Sequence, residues 1–459
     1  MYINIYRLLN AKTIGCTAIA FSTVCATGCS KNWLDQKPDK NLTIPANLKD
    51  FESLLDDYPS NFSPLTSGEA GTPDHYITDA IWGTSLSNKE KNLYTWSHDF
   101  PNLEVTDWNY SYTAILNTNI VLEGLQKMQD PKIDNQYNRV KGNALFTRSR
   151  LFFELAQLWG APYDSSSSSG DLSIPLKLDP DINSLTTRGS VHDVYSRVLE
   201  DLMQAKDLLP MKPAFKTRPS KAAAFGLLAR IFLTMGDYKK AYLFSDSCLS
   251  VTNTLLDYNQ LDTQSPFVGA FNDEVIYHSS GSYNTSVTNS YIDPGLFSNF
   301  DTNDLRKVIY FQINPDSTIQ FKGNYFNSTT EYFSGIATDE MYLIRSECNA
   351  RLGNLQEAQQ DLNILLSKRW KTGTYIPLNF QNETVLLSFI LNERERELVM
   401  RGLRWIDLRR INKDPLFAKT FTRSVDGRSF VLEPDSYKYT LPIPDDVLKL
   451  SHVQQNEGW

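Results

Sequence analysis

Apolar side chains recur at helical spacing along three long stretches of the chain. The stretches run from Trp108 to Trp159, from Val191 to Ser250 and from Asp339 to Arg410. Steps of three and four residues place such side chains on one face of a helix, so each stretch predicts amphipathic helices that bury one face. In the first stretch the recurring positions are Tyr112, Ile115, Leu116, Ile120, Phe152 and Leu155.

Two segments share a finer pattern that predicts a helical hairpin. In the first, Ser220 can cap a helix that ends at Gly236, and Asp237 can begin the next helix. In the second, the helix ends at Gly353. Glycine accepts the left-handed turn, and a small residue on the second helix allows close approach. The pattern is typical of tetratricopeptide repeats, although ordinary helix pairing gives a similar one. In each segment a large side chain and then an alanine follow the glycine: Tyr238, Ala241, Leu355 and Ala358.

Long stretches rich in Pro, Ser, Asn, Gly and Asp separate the helical regions. They cover about residues 59–107 and 251–338, and a shorter serine run spans 165–169. Loops of this length in a folded domain are usually either functional or disordered. Their aromatic residues argue against disorder, so we expect the two long loops to form a ligand-binding face.

The N-terminus carries the features of an export signal. Residues 1–28 hold Arg7 and Lys12, no acid, and a weakly apolar stretch that is too short for a permanent membrane helix. Ala26, Thr27 and Gly28 then precede Cys29, as small residues precede the lipidated cysteine of a bacterial lipoprotein. The alternative is an ordinary thiol after a secretory signal. Lipidation is favoured because the exported body, 29–459, keeps only two other cysteines and hence no disulfide framework.

Charge and composition narrow the possible partners. Removal of the two leader cations takes the formal net charge from -8 to -10. An acidic body disfavours nucleic acid, because phosphates require neutralising cations. Aromatic residues make up 12% of the chain, which suits a binding surface or, for most of these rings, a packed helical core.

Several motifs in order resemble the SusD/RagB family of nutrient-uptake lipoproteins. The densest match combines alternating Glu and Arg from Glu393 to Leu398 with the segment Gly402 to Arg410. The sequence differs from the family pattern in two places. Arg401 stands where the family often has Glu, and no acidic run follows Cys29. The other matching segments are Cys29 to Asp35, Trp108 to Asn119, Pro219 to Arg230, Leu441 to Pro444 and Asn456 to Trp459.

The resemblance implies a mostly helical, tetratricopeptide-like scaffold with long irregular loops and minor β structure. It also implies a non-catalytic binding protein, anchored by lipid at the outer membrane and facing the exterior. The expected partner is a TonB-dependent outer-membrane channel of the SusC type, which this protein would cover as a lid. The expected ligand is an oligosaccharide, with a peptide as the alternative, and no metal or organic cofactor is implied.

An enzymatic reading, such as a lipid-anchored glycosidase, has little support in the residues. The five histidines lack metal-ligand spacing, and neither a phosphate-binding loop nor a serine nucleophile motif occurs. Glu393, Glu397 and Asp407 lie near arginines, and helical spacing predicts local pairs that join Arg394 to Glu397 and Arg404 to Asp407. We therefore expect this charged motif to be structural, although a carboxylate pair from distant loops stays open.

The ligand contacts are expected in two short segments of the long loops. Sugars present apolar C–H faces and many hydroxyls, so their sites combine aromatic rings with amides and carboxylates. We expect the two segments to meet, with Trp82 stacking on the ligand while Asp79 and Asn284 form hydrogen bonds. The alternative is that the first segment's rings only close the loop against the helices. The candidates are Tyr76, Asp79 and Trp82 in the first segment and Tyr283, Asn284, Asn289 and Tyr291 in the second.

Overall fold

Helices form the framework of the computed structural model, which describes residues 45–100, 106–128, 134–184, 186–282, 284–451 and 453–459. The predicted leader and Cys29 lie outside these residues. Residues Asn47–Trp459 pack as one compact unit. The helices are α1 Leu48–Leu55, α2 Tyr58–Asn61, α3 Leu65–Ala70, α4 Asp79–Thr84, α5 Asn88–Thr95, α6 Thr106–Lys127, α7 Asn135–Trp159, α8 Val191–Leu208, α9 Lys221–Thr234, α10 Tyr238–Val251, α11 Thr285–Thr288, α12 Pro294–Ser298, α13 Arg306–Ile309, α14 Thr338–Arg351, α15 Leu355–Ser367, α16 Glu383–Glu397, α17 Arg404–Ile411 and α18 Asp445–Ser451.

The two predicted helical hairpins are confirmed. The Ser220 side chain accepts a hydrogen bond from the Ala223 amide at the start of α9, and the Asp237 side chain accepts one from the Lys240 amide at the start of α10. Gly236 and Gly353 both have positive φ, 74° and 85°, as the turns require. Helix α9 packs on α10, α14 packs on α15, and α10 packs on α14, so the two hairpins form one stack. The tetratricopeptide-like scaffold is thereby confirmed.

The predicted long loops contain short strands and short helices. The strands pair in twos, all antiparallel: β1 with β6, β2 with β3, β4 with β10, β5 with β9, β7 with β8, and β11 with β12. Isolated pairs this short cannot stabilise themselves, so they depend on packing against the helices. Their bounds are β1 His75–Tyr76, β2 Leu172–Pro175, β3 Arg188–Ser190, β4 Val275–Tyr277, β5 Ser280–Ser282, β6 Tyr291–Ile292, β7 Phe311–Ile313, β8 Ile319–Phe321, β9 Glu331–Phe333, β10 Ile336–Ala337, β11 Phe421–Val425 and β12 Arg428–Leu432.

The main core lies between the long helices, and most of the recurring apolar positions belong to it. Phe152 and Leu155 of α7 are fully buried, as are Cys248 and Cys348, which behave as small apolar residues. A second apolar cluster lies beneath the strand-rich segment and includes Ile292, Phe311 and Tyr332. None of the helices described here is both long enough and apolar enough to cross a membrane.

The charged motif near residue 400 is structural, but its ion pairs differ from those predicted. The Arg394 Nε atom donates to Asp407 Oδ2 at 2.8 Å, across two helices. Arg404 binds Asp74 Oδ1 at 3.2 Å and Glu395 Oε1 at 2.7 Å. The predicted pairs of Arg394 with Glu397 and of Arg404 with Asp407 are therefore wrong. Both arginines instead join segments that are distant in sequence or lie on different helices.

Arg401, the position that departs from the family pattern, also has a distant partner. Its two guanidinium nitrogens lie 3.0 and 2.8 Å from the two carboxylate oxygens of Asp339, at the start of α14. This ion pair is buried and fixes the end of the motif on the second hairpin.

Two buried arginines connect the strand-rich segment to α16. Arg306 pairs with Asp304 at 2.6 Å, with Glu397 at 2.7 Å and with Glu393. Arg369 pairs with Glu397 and with Glu274, both at 2.7 Å. All of these side chains are at most 3% exposed. We call this set the buried ion network; it anchors the loops around residues 274 and 304 to the helical scaffold.

A buried acid connects α3 to the charged motif. Glu69 is fully buried, and its Oε2 atom accepts a hydrogen bond from the Gly402 amide at 2.9 Å. Burial, with a smaller effect of the nearby Asp74 carboxylate, raises the pKa of Glu69 to about 8. Glu69 is therefore mostly protonated near neutral pH.

Replacement of Trp405 by alanine should destabilise the fold strongly. Trp405 is 1% exposed, lies against Gly68 and Gly71 and packs on Tyr439 with ring centroids 5.0 Å apart. Truncation of a buried Trp costs about 3–5 kcal/mol. Thermal unfolding should show a much lower melting temperature for Trp405→Ala, while Leu450→Ala, at a position 85% exposed, should match wild type. A Trp405→Ala protein with normal stability that had lost only ligand binding would contradict this structural role.

The Glu69→Gln variant should change how stability depends on pH. Between pH 4.5 and about 8 the unfolded Glu69 side chain is ionised while the folded one keeps its proton, so folding stability falls as pH rises. The loss is at most about 1.4 kcal/mol per pH unit for one proton. Denaturant titrations from pH 5 to pH 8 should therefore show Glu69→Gln gaining stability relative to wild type. Glu357→Gln, an exposed control, should leave the slope unchanged; parallel slopes for Glu69→Gln and wild type would refute the assignment.

Candidate ligand-binding site

The two aromatic loop segments meet in space, as predicted. Strand β1 pairs with β6, so that Tyr76 lies opposite Tyr291 and His75 lies opposite Ile292. The Asp293 amide also donates to the Asp74 carbonyl at 2.9 Å. Segments more than 200 residues apart in sequence are thus held together by backbone hydrogen bonds.

The paired tyrosines form a partly exposed aromatic surface, which we call the tyrosine pair. The ring centroids of Tyr76 and Tyr291 lie 5.7 Å apart, with the planes at 45°. Partial burial raises the pKa of Tyr76, and the nearby Tyr291, Asp316 and Asp293 raise it further. The Tyr76 hydroxyl therefore keeps its proton and can donate a hydrogen bond.

A polar cleft lies at β6, the strand that carries Tyr291, although neither Tyr76 nor Tyr291 lines it. Its volume is about 250 Å³, and Ser290 and Ile292, the two neighbours of Tyr291 in the chain, both line it. The lining combines aromatic rings, hydroxyls and amides, with one cation and no carboxylate among the residues described. Such a mixture suits a ligand with both apolar faces and many hydroxyls. The lining residues are Pro266, Phe267, Val287, Thr288, Ser290, Ile292, Gln312, Gln320, Phe321, Lys322, Asn324, Ser328, Thr329, Tyr332 and Met400.

One wall of the cleft is the hairpin of β7 and β8. Gln312 lies opposite Gln320 in this ladder, and both side chains are exposed. Strand alternation puts the two amides on the same face of the hairpin, since directly paired residues share a face. Phe321, next to Gln320, adds an aromatic edge, so this wall offers hydrogen-bonding groups beside a ring.

Another wall is fixed by Asn324. Its Oδ1 atom accepts from the amides of Phe326 and Phe333, at 3.0 and 3.1 Å, and its Nδ2 atom donates to the carbonyls of Ser328 and Glu331, at 2.9 and 2.7 Å. With every hydrogen-bonding position of its amide used, Asn324 stabilises the loop instead of binding ligand. The wall is therefore preorganised.

The floor includes Met400, which adopts a left-handed backbone conformation with φ of 56°. Such a conformation costs about 1–3 kcal/mol for a residue other than glycine and persists only where its surroundings hold it. Met400 is 3% exposed and directly precedes Arg401, whose pairing with Asp339 holds the segment in place.

The structure contradicts the ligand-stacking role predicted for Trp82. Trp82 is 4% exposed, and its ring packs against Phe100 and Tyr94 with centroids 6.1 and 6.5 Å away. It lies in a small apolar cluster with Ile77 and Val425. The ring is buried because α4 folds back on this cluster, which corresponds to the alternative role of closing the loop.

The other predicted residues occupy varied positions. Asp79 is exposed, but its Oδ1 atom accepts from the Asp426 amide at 2.8 Å, in the turn between β11 and β12. Asn284 and Asn289 bracket α11, whose Thr288 lines the cleft. Tyr283 lies outside the described residues.

Sequence reasoning missed most of the cleft-lining residues, including Gln312, Gln320 and Tyr332. The alternation of Phe311 to Ile313 and of Ile319 to Phe321 around a Pro–Asp–Ser turn is a hairpin signal that could have located one wall. The glutamines themselves carry no distinctive spacing. Among the described residues, no group of three or more His, Cys, Asp or Glu side chains is arranged to hold a metal ion.

Comparisons with solved structures show the same fold. A SusD superfamily protein from Bacteroides thetaiotaomicron superposes with a TM-score of 0.72 at 21% identity, over 89% of this chain and 98% of that one. A structure described as a SusD-like carbohydrate binding protein, from Bacteroides vulgatus, gives a TM-score of 0.65 at 19% identity, over 88% and 96% of the two chains.

Two sequence relatives come from Formosa agariphila. SusD-like protein P2 is 31% identical over 160 residues, which are 35% of this chain and 29% of that protein. SusD-like protein P38 is 22% identical over 389 residues and matches 68% of this chain and 73% of that protein. The chain therefore spans less than a third of the first relative and nearly three quarters of the second.

Two family models match consecutive parts of the sequence. The first is described as "Starch-binding associating with outer membrane" and matches residues 32–233. The second is described as "SusD family" and matches residues 251–459. Since the two matches together cover most of the sequence and the fold agrees, the chain belongs to the SusD/RagB family.

Proposed function

We propose that this protein binds an oligosaccharide at the cleft and the adjacent tyrosine pair, and delivers it to a TonB-dependent outer-membrane channel of the SusC type. The observation that carries the proposal is the pairing of β1 with β6, which joins two aromatic segments beside a polar cleft. The protein acts as a lid over the channel and performs no chemistry on the ligand.

The chemistry of the cleft favours a saccharide. Gln312, Gln320, Ser290 and Thr288 supply donors and acceptors for sugar hydroxyls, while Phe321 and the tyrosine pair offer rings to the apolar C–H faces. The lining is mostly uncharged, with Lys322 as its one charged residue among those described. A neutral polyol can therefore satisfy these groups without burying a charge.

The same lining supports a binding role over catalysis. Hydrolysis of a glycosidic bond ordinarily requires two carboxyl groups that flank it. No aspartate or glutamate is among the described residues that line the cleft. The carboxylates of the charged motif are equally unsuited, because Glu393 and Glu397 are buried and paired with arginines.

The relatives support the ligand class and the location. One of the similar structures is described as a carbohydrate binding protein, and one matching family is described as starch-binding and associated with the outer membrane. Lipidation of Cys29 would place this protein at that membrane, since multiple acyl chains give durable insertion. Peptide binding is the alternative outcome of a ligand screen.

Replacement of Tyr291 by alanine should weaken saccharide binding without unfolding the protein. An oligosaccharide found on a glycan array serves as the ligand, and affinity is measured by calorimetry. Loss of one partly exposed ring should reduce affinity about 5- to 10-fold, which corresponds to about 1–1.4 kcal/mol. Gln320→Ala should produce a loss in the same direction, since it removes an exposed cleft amide.

The matched control is Tyr242→Ala, which removes a tyrosine that is 36% exposed on α10. It should bind as wild type does, and all three variants should keep the wild-type melting temperature. Unchanged affinity in folded Tyr291→Ala and Gln320→Ala would exclude this cleft as the binding site. Binding on a peptide array alone would replace the saccharide with a peptide ligand.

Substitution of Cys29 should release the protein from the membrane. The motif Ala26-Thr27-Gly28-Cys29 motivates the prediction. After cell fractionation in a strain that lacks the channel partner, Cys29→Ala should move to the soluble fraction, whereas Cys248→Ala, at a buried thiol, should stay with the membrane. A Cys29→Ala protein that remained fully membrane-bound would rule out the lipid anchor.

A further inference from the structure

A second, larger groove lies between the C-terminal segment and the loop that follows α7. Its volume is about 550 Å³, within the usual range for small-molecule sites. The walls come from residues 161–172, from the end of α17 and from residues 434–440 and 454–457. The groove shares no lining residue with the cleft beside the tyrosine pair.

The floor of this groove is rigid. The Arg409 guanidinium donates to the carbonyls of Ala156 and Gly160, at 3.2 and 2.5 Å, and so caps the end of α7. The Asn456 amide donates to the carbonyls of Trp159 and Leu441, at 3.0 and 2.7 Å. Both side chains are less than a tenth exposed, so the floor is held in place before any ligand arrives.

Two polar groups on the floor lie next to each other. The Asn412 side chain and the Tyr439 hydroxyl are buried and within reach of a mutual hydrogen bond. Neither the Asn412 Nδ2 atom nor the Tyr439 hydroxyl has a further partner among the described residues. A buried donor left unpaired costs about 1–3 kcal/mol, and such groups usually bind water or a ligand. These two side chains therefore mark the floor as a place where a hydrogen-bonding molecule is favoured.

The rim supplies an aromatic ring and free carboxylates. Tyr437 is 46% exposed, and its ring is fixed edge-on against Trp459, with centroids 5.0 Å apart and planes at 80°. Asp435 and Glu457 are exposed and form no ion pair with any described residue. On another wall, Asp164 pairs with Lys413 at 3.0 Å.

We propose that this groove is a second saccharide-binding site, specific for neutral sugars and independent of the cleft. The exposed face of Tyr437 suits the C–H face of a sugar ring, the free carboxylates accept hydrogen bonds from hydroxyls, and the floor donates to ring or hydroxyl oxygens. Four acids line the groove against two bases, which disfavours anionic sugars. The site gives the protein a second contact with a long or branched glycan, so that two weak contacts act together.

The test compares four full-length proteins: wild type, Tyr291→Ala, Tyr437→Ala and the double variant. Saturation-transfer NMR is recorded with maltose, cellobiose, mannobiose and xylobiose as probes. For at least one disaccharide, the double variant should show less saturation transfer than Tyr291→Ala. Asp435→Asn, combined with Tyr291→Ala, should lower the transfer in the same way, and Tyr242→Ala combined with Tyr291→Ala should not.

Three outcomes would overturn the proposal. The second site does not exist if the double variant matches Tyr291→Ala for every disaccharide, or if Tyr291→Ala shows no transfer with any of them. If a lysine-rich peptide binds wild type but not Tyr437→Ala, and no saccharide shows saturation transfer, the groove is a peptide-binding site. If the cleft itself binds no sugar, Tyr437→Ala alone should remove all transfer, so failure of the proposed function is distinguishable from failure of the second site.

Discussion

The buried ion network is the constraint on which the candidate ligand-binding side of the protein depends. The strand-rich segment consists of short pairs that have too few hydrogen bonds to be stable alone. Arg306 and Arg369 connect this segment to Glu397 of α16 by contacts of 2.7 Å in the interior. Charges buried in this way are costly to desolvate, and removal of one partner leaves the other uncompensated. The network therefore favours one docking geometry of the loops over others, which matters more for a binding site than its net contribution to stability.

The helical scaffold could be predicted from sequence because its determinants are local. Gly236 and Gly353 each end a helix within a pattern only a few residues long, and their positive φ angles agree with the pattern. The ion pairs could not be predicted in the same way. Spacing along a helix predicts only contacts between neighbours on that helix. One of the two partners of Arg404 is Asp74, which lies 330 residues earlier. The motif alone does not show whether an arginine pairs with a neighbour on its own helix or with a residue that is distant in sequence.

The candidate binding site shows a similar division. Composition located the two loops, and their meeting at Tyr76 and Tyr291 agrees with that prediction. Composition does not show which rings face outward, so it predicts a ligand contact for Trp82, which is buried. The amides of Gln312 and Gln320 were missed because an exposed glutamine in a short strand looks like any surface residue. Exposure at these positions is decided by how α4 and the β7–β8 hairpin pack, which is a property of the tertiary structure.

The burial of Cys248 and Cys348 has a practical consequence for observing this protein at work. Burial raises the pKa of both thiols well above the usual range, so neither forms the reactive thiolate at ordinary pH. They are the two cysteines in the part of the chain that the structure describes. Within these residues, a cysteine introduced on the surface can therefore be alkylated with a fluorophore at a single position. This part of the protein is in effect already a cysteine-free background for spectroscopy, without substitutions in its core.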